Sequence, residues 1–223
     1  MPKRFITIWF RHLTTDWFIL RRPALKETPF VLASLDHGRM MITAANSLAQ
    51  AEGIDTGMAA ADARALLPSL QVIDDKPGLG DKLLKALGEW CIRYAPITAV
   101  DAPDGLILEV TGCAHLWGGE KSYLKEILTR LRGSGYDVRA AIADTIGTAW
   151  AISRFGQVTP IVETGGQVTA LLSLPPKALR LDPPILDRLH KLGLNKINNF
   201  ITMPRSSLHR RFGPGLLHRH FIK

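Results

Sequence analysis

The sequence predicts an α+β fold, and three observations carry that reading. The first is an uncharged, β-rich opening run, Phe5-Ile6-Thr7-Ile8-Trp9-Phe10, ended by Arg11. The second is a pair of amphipathic helical stretches, 81–94 and 120–132, each followed by strand-like runs. The third is Pro103-Asp104-Gly105 between two apolar runs, a strong hairpin signal. With residues 13–77 set aside, the order is strand 5–10, helix 81–94, strand 97–101, strand 106–110, helix 120–132, strand 138–143. That is βαββαβ, the ferredoxin-like split-βαβ plan, with two helices expected on one face of the sheet.

In chain order, Thr14-Thr15-Asp16 reads as the cap of a short helix to about Arg22, which Pro23 ends. Residues 29–33 and 40–44 read as strands around the turn Asp36-His37-Gly38-Arg39, a hairpin. Two small helices follow, 46–52 stopped by Gly53 and 59–67 stopped by Pro68, and then a short strand at 71–73. Residues 13–77 therefore form a small α/β unit inserted after the first strand. Helix 81–94 places Leu83, Leu84, Leu87, Trp90, Cys91 and Tyr94 on one face. In the Pro-Asp-Gly turn Pro presets φ, and Gly105 is expected to supply φ > 0; Asp104 is expected to be exposed there. Helix 120–132 buries Tyr123, Leu124, Ile127, Leu128 and Leu131 and stops at Gly133-Ser134-Gly135. Strand 137–143 and helix 146–155 follow, and Gly165-Gly166 reads as a linker. Beyond it lie short helical pieces punctuated by Pro175, Pro176, Pro183, Pro184 and Pro204. Among them, helix 185–191, the Leu192-Gly193-Leu194 turn and helix 196–201 form a helix-hairpin-helix-like pattern, able to offer backbone N–H groups to a phosphate.

Composition bounds the function. With 223 residues, 46% hydrophobic and 22% charged, the chain has an ordinary globular composition. Cys91 and Cys113 make no disulfide framework, and no apolar run is long enough for a signal core or a membrane span, so a soluble, cytoplasmic protein without membrane contact is expected. The net charge of +8 is unevenly placed: residues 177–223 hold ten Lys and Arg against Asp182 and Asp187, and the rest of the chain is neutral. A neutral body with a basic end fits phosphate-backbone binding and equally a solvated helical surface. Lys191, Lys196, Arg205, Arg210 and Arg211 are the candidate DNA-binding residues. Gly78-x-Gly80 is a hinge, not a dinucleotide fingerprint, and no Walker A sequence or nucleophile elbow occurs. Cys113-x-His115 and His218-x-His220 lack partners at zinc spacing, so no metal site and no cofactor are expected. The five tryptophans are scattered and read as core or interface residues.

The order of these pieces resembles the Y-family (translesion) DNA polymerases: palm strand, inserted fingers, rest of the palm, thumb. Pro29-Phe30-Val31-Leu32 is similar to the family's "KPVVV" strand, and residues 43–50 to its "ATANYEAR" segment. Residues 99–102 fall on "SIDE", residues 108–111 on its "LDIS" tail, and residues 191–196 on the thumb's "KLGI" turn. The resemblance implies a palm at 1–12 and 78–165, fingers at 13–77 and a helix-hairpin-helix thumb at 166–223. It also implies that the family's little finger and clamp-binding tail lie outside this sequence.

The departures carry the functional expectation. In this register the family's catalytic carboxylates fall on Trp9, Arg11 and Ala102, and only Asp101 keeps one. The triphosphate-holding Tyr and Arg fall on Ser47 and Gln50, the sugar gate on Thr14, and the "SKNK" lysine near Ala143-Asp144-Thr145-Ile146. Two-metal phosphoryl transfer needs hard oxygen ligands around both ions, and one carboxylate cannot hold the pair. These residues are therefore vestigial positions, and the chain resembles the catalytically silent, polymerase-like branch found in bacterial mutagenesis cassettes. The resemblance implies DNA, an error-prone C-family polymerase, a RecA-like cassette partner and a sliding clamp as partners. An active polymerase using Asp101 with Glu109 or Asp104, and a plain DNA-binding module, stay open as alternatives. Arg11 is expected to pair with Asp101 or Glu109, an ion pair standing in for metal.

Overall fold

A computed structural model describes residues 2–157 and 159–212; His218, His220 and the Gly213-Pro214 pair lie outside them. A four-stranded antiparallel sheet forms the centre. It comprises β1 (Phe5–Phe10), β5 (Ile97–Asp101), β6 (Gly105–Glu109) and β7 (Val138–Ala143), in the order β5-β6-β1-β7. This is the arrangement of the split-βαβ plan. Strand alternation sends Ile6, Ile8 and Phe10 to one face, where they meet α4 (Leu79–Cys91) and α5 (Glu120–Gly133) through Leu84, Cys91, Tyr123, Leu124 and Ile127 in one buried cluster. The two helices share a face, as the split-βαβ plan predicts. The opposite face carries Thr7 and Trp9 and is partly covered by α6 (Ile146–Phe155); the Thr7 hydroxyl donates to Ser153 Oγ at 3.1 Å.

Between β1 and α4 sits the small unit predicted from the hairpin signal. It contains α1 (Leu13–Arg21), β2 (Phe30–Asp36), β3 (Arg39–Ala45), α2 (Ser47–Ala51), α3 (Ala60–Leu66) and β4 (Gln71–Asp74). Its sheet runs β3-β2-β4, with β2 and β3 antiparallel and β2 and β4 parallel. Asn46 caps α2, its side chain accepting from the Ala49 N–H at 3.0 Å. Beyond α6 come α7 (Gln167–Leu172), a 3₁₀ turn at Pro176–Leu179, α8 (Pro183–Lys191), α9 (Asn198–Ile201) and α10 (Arg205–Phe212). These bury Leu179, Leu181, Leu189, Phe200 and Phe212 against one another and against Ala149 and Ile152 of α6.

Four local expectations are corrected. Helix α1 begins at Leu13 rather than after a Thr14–Asp16 cap: the Thr15 hydroxyl donates back to the His12 carbonyl, and the Asp16 carboxylate accepts the Asp137 N–H at 2.8 Å. Helix α4 ends at Cys91, so Tyr94 lies past it, though still buried. The linker at Gly165-Gly166 is a pinned turn, since the Gly165 N–H donates to Asp144 Oδ2 at 2.8 Å. The turn between β5 and β6 holds a cis Ala102–Pro103 bond, and Gly105 is not at positive φ. Its need for glycine is space: a Cβ there would sit 3.0 Å from Arg154 Nη2 and 3.1 Å from the Asp101 carbonyl oxygen and Oδ2.

Candidate functional site

At the end of β1, where the chain passes from the central sheet to the inserted unit, lies a cleft of ≈ 730 Å³. Trp9, Arg11, Thr14, Gln50, Asp104 and Lys177 are among the residues lining it. Ser47, at the start of α2, is exposed and is not part of this lining. Ala102 is exposed in the cis-proline turn. Thus Trp9, Gln50, Thr14 and the Asp101–Asp104 turn gather at one place, without Ser47.

The carboxylates at this place are taken by arginines. Asp101, at the C-terminal end of β5, accepts from Arg180 Nη2 on both oxygens, at 2.9 and 2.8 Å. Arg154 Nη2 donates to Asp104 Oδ1 at 2.6 Å and reaches Asp101 Oδ2 at 3.4 Å. The second oxygen of Asp104 accepts the Trp9 indole N–H at 2.8 Å. The Trp150 ring joins the two cations, with the Arg154 and Arg180 guanidinium carbons 4.5 and 4.1 Å from its centroid. Two carboxylates meet two guanidiniums, so the cluster is neutral as built. Asp104, expected in the exposed turn, is in fact half-buried and doubly bonded, because the turn folds back on Trp9 and Arg154.

Each cation reaches the site for a local reason. Thr145 caps α6, its hydroxyl accepting the Thr148 N–H, and the helix then lies along the sheet so that its last turn carries Arg154 over the β5–β6 hairpin. Burial pulls the Arg154 pKa down, opposed by Asp104 and Asp101; its side chain is only 8% exposed. Arg180 closes the 3₁₀ turn with φ 51°, a left-handed position uncommon for a residue with a side chain. Buried Leu179 and Leu181 flank it and anchor the turn, which leaves the Arg180 side chain on Asp101.

Arg11 does not do what its place on the strand predicts. It pairs with Asp137 at 3.2 Å, with both side chains about half exposed, and not with Asp101 or Glu109. The reason is register: the Arg11 N–H bonds the Asp137 carbonyl, so the chain leaves β1 alongside the start of β7. Glu109 lies at the far end of β6 opposite Phe5 and Ile97, where Thr111 Oγ1 is its neighbour. Asp144 is also committed elsewhere, to Arg4 at 2.7 Å. Next to Arg11, burial lowers the His12 pKa and raises that of Asp16 to about 6. Among the described residues no group of three or more His, Cys, Asp or Glu side chains is placed to hold a metal ion.

Lys191, Lys196, Arg205, Arg210 and Arg211 are all exposed and lie on or between the C-terminal helices, and among the described residues none of them pairs with Asp101 or Asp104. Sequence reasoning missed Arg154, Arg180 and Asp137. A signal existed for one of them: Arg154 is the sole charge in 146–155 and stands four residues after Trp150, so the two share a helix face.

Residues 8–154 match the impB/mucB/samB family. The chain belongs to that family. Protein ImuB of Caulobacter vibrioides is 44% identical over 161 residues, 72% of this chain and 35% of that protein. DNA polymerase IV 2 of Mesorhizobium japonicum is 26% identical over 200 residues, 86% of this chain and 46% of that protein. The chain thus spans about a third to a half of the length of these curated relatives. The fold is that of the Y-family polymerase palm and fingers. DinB from Sulfolobus solfataricus superposes with a TM-score of 0.80 at 17% identity, over 97% of this chain and 65% of that one. The insertion ternary complex of Dbh DNA polymerase gives 0.79, also at 17%, with the same coverages. No helix among the described residues is long and apolar enough to cross a membrane.

Proposed function

We propose that this impB/mucB/samB chain is a non-catalytic, polymerase-like scaffold in DNA-damage-induced translesion synthesis and mutagenesis. It binds DNA and recruits an error-prone C-family polymerase. The observation that carries the reading is that Asp101, the one carboxylate left at the family's metal positions, accepts hydrogen bonds from both Arg180 and Arg154. A divalent cation would have to displace two guanidiniums, one of them buried, to reach those oxygens. Trp9 and Ala102 bring no oxygen ligand, and Ser47 and Gln50 bring no cation to a triphosphate. The 44% identity to a protein named ImuB supports placing the chain in the silent branch.

On this reading residues 1–12 with 78–165 are the palm, 13–77 the fingers and 166–223 the thumb. The α8–Gly193–α9 turn is the thumb's phosphate-facing hairpin, and Lys191, Lys196, Arg205, Arg210 and Arg211 meet the DNA backbone. A RecA-like partner and the sliding clamp complete the assembly. The competing reading is an active polymerase built on Asp101 and Asp104, and it draws on the two carboxylates sharing Arg154. Primer extension with Mg²⁺ or Mn²⁺ separates the two. The scaffold reading expects no templated incorporation; incorporation that disappears in Asp101→Ala overturns it.

A further inference from the structure

The carbonyl end of α6 lies beside the start of β7, and two arginines are held there by backbone alone. Arg132, in the last turn of α5, donates from Nη2 to the Val138 carbonyl at 2.9 Å. Arg139, on β7, donates from Nη1 to the Arg154 carbonyl at 3.4 Å and from Nη2 to the Gly156 carbonyl. Both side chains line one recess of ≈ 220 Å³, walled by Leu128, Ile152 and Pro160. Among the described residues they are the only charged side chains in its lining.

The acids on the neighbouring elements are engaged elsewhere. Asp137 stands between the two arginines in the chain, yet its carboxylate pairs with Arg11 at 3.2 Å. Glu126, on α5, pairs with Arg130 at 2.9 Å. Among the described residues neither Arg132 nor Arg139 is in an ion pair. The end of α6 offsets only part of the Arg139 charge, since a helix C-terminus carries about half an elementary charge. A net positive charge therefore remains in the recess. A guanidinium does not shed its proton, and it carries several N–H donors in a planar fork. The carbonyl bonds fix both forks and leave most of those donors without a partner among the described residues.

We propose that this recess is a phosphate site, with Arg132 and Arg139 as its two ligands. A tetrahedral oxyanion has enough acceptors to meet both forks at once. At ≈ 220 Å³ the recess is below the ~300 Å³ at which pockets for whole small molecules begin. It seats one phosphate group and not a nucleotide. That group belongs to a nucleic-acid backbone or to a free phosphate ester. The rest of either ligand lies outside, along the larger groove that shares Ile152, Gly156, Gln157 and Thr159 with the recess. None of Lys191, Lys196, Arg205, Arg210 and Arg211 lines the recess, so it is separate from the DNA contacts proposed above.

The test follows the arginine Nε–H signals of the 223-residue chain by ¹H–¹⁵N NMR as inorganic phosphate is added, with chloride at matched ionic strength as the control. The expected result is a saturable shift of Arg132 and Arg139 with a common dissociation constant, absent with chloride. Arg132→Gln, at an exposed position, should raise that constant at least about tenfold, as the loss of one charge-assisted contact requires. Arg139→Lys keeps a cation at the end of α6 but loses the fork, and it should weaken phosphate too. Two further arms identify the source: a deoxymononucleotide, and a single-stranded oligodeoxynucleotide titrated across a salt series. A salt slope lowered by about 0.7 in Arg132→Gln assigns a backbone phosphate. An unchanged slope, with the mononucleotide displacing phosphate, assigns a free ester. No saturable shift, equal shifts with chloride, or a constant unchanged in both variants overturns the proposal. So does phosphate binding that neither the oligonucleotide nor the mononucleotide affects, which leaves an adventitious ion only.

Discussion

Replacing Arg154 with methionine removes the cation that the hairpin folds around and keeps most of its aliphatic volume. In the native cluster Arg154 Nη2 serves Asp104 at 2.6 Å and Asp101 at 3.4 Å. Breaking a buried ion pair by deleting one partner costs about 3–5 kcal/mol, because the surviving charge stays desolvated. Two features lower that figure here. Asp101 keeps Arg180, and Asp104 keeps the Trp9 indole N–H with its side chain 35% exposed. Allowing for these, the expected loss is about 2–3 kcal/mol in urea denaturation followed by circular dichroism. A cycle with Asp104→Asn isolates the pair. The asparagine variant lacks the orphaned charge, so adding Arg154→Met to it should cost at least about 1 kcal/mol less than in the native background. Independent, additive losses refute the idea that these carboxylates are held by guanidinium in place of metal, and so does an Arg154→Met cost within about 0.5 kcal/mol of zero.

Two further outcomes follow from the same structure. Asp16 has a folded pKa raised by burial to about 6, above its ordinary 3.8. A raised carboxylate pKa stabilises the fold at low pH, and that contribution fades as pH rises through the folded value; the shift corresponds to about 3 kcal/mol. Asp16→Asn keeps an acceptor for the Asp137 N–H, so its stability should fall behind native at about pH 4 and gain on it by about pH 7, as denaturant midpoints at the two pH values will show. The proposed DNA contacts carry a salt signature: Arg210→Ala with Arg211→Ala should flatten the slope of log affinity against log salt by up to about 2, in filter binding or anisotropy across a salt series.

Much of the fold was legible because its signals are local and periodic. The apolar faces of α4 and α5, the alternation in β1 and the hairpin turns each state their own structure. The strand order follows from the split-βαβ plan. The site was half legible. Its location could be read from Trp9, Arg11 and the Pro103-Asp104-Gly105 turn, which the structure brings to one cleft end. The partners of its carboxylates could not, since Arg154 and Arg180 lie 53 and 79 residues from Asp101 in the chain. Pairing at such separations depends on how α6 and the 3₁₀ turn dock, which no local pattern encodes. Strand alternation put Arg11 on the Trp9 side of the sheet, and its guanidinium carbon is indeed 6.0 Å from the Trp9 ring centroid. Alternation says nothing about which acid it meets, and Asp137 at the neighbouring strand end was nearer. Gly105 shows the same limit: the turn was recognised, but the glycine answers to a guanidinium from another element.

Whether arginine or metal holds the oxygens of Asp101 separates a scaffold from an enzyme. The most direct measurement is a crystal of this chain soaked with Mn²⁺ and a nucleoside triphosphate, with anomalous density collected at the manganese edge. No anomalous peak is expected at Asp101, with Arg154 and Arg180 still on its carboxylate. A Mn²⁺ ion bound directly to that carboxylate, with the guanidiniums displaced, contradicts it.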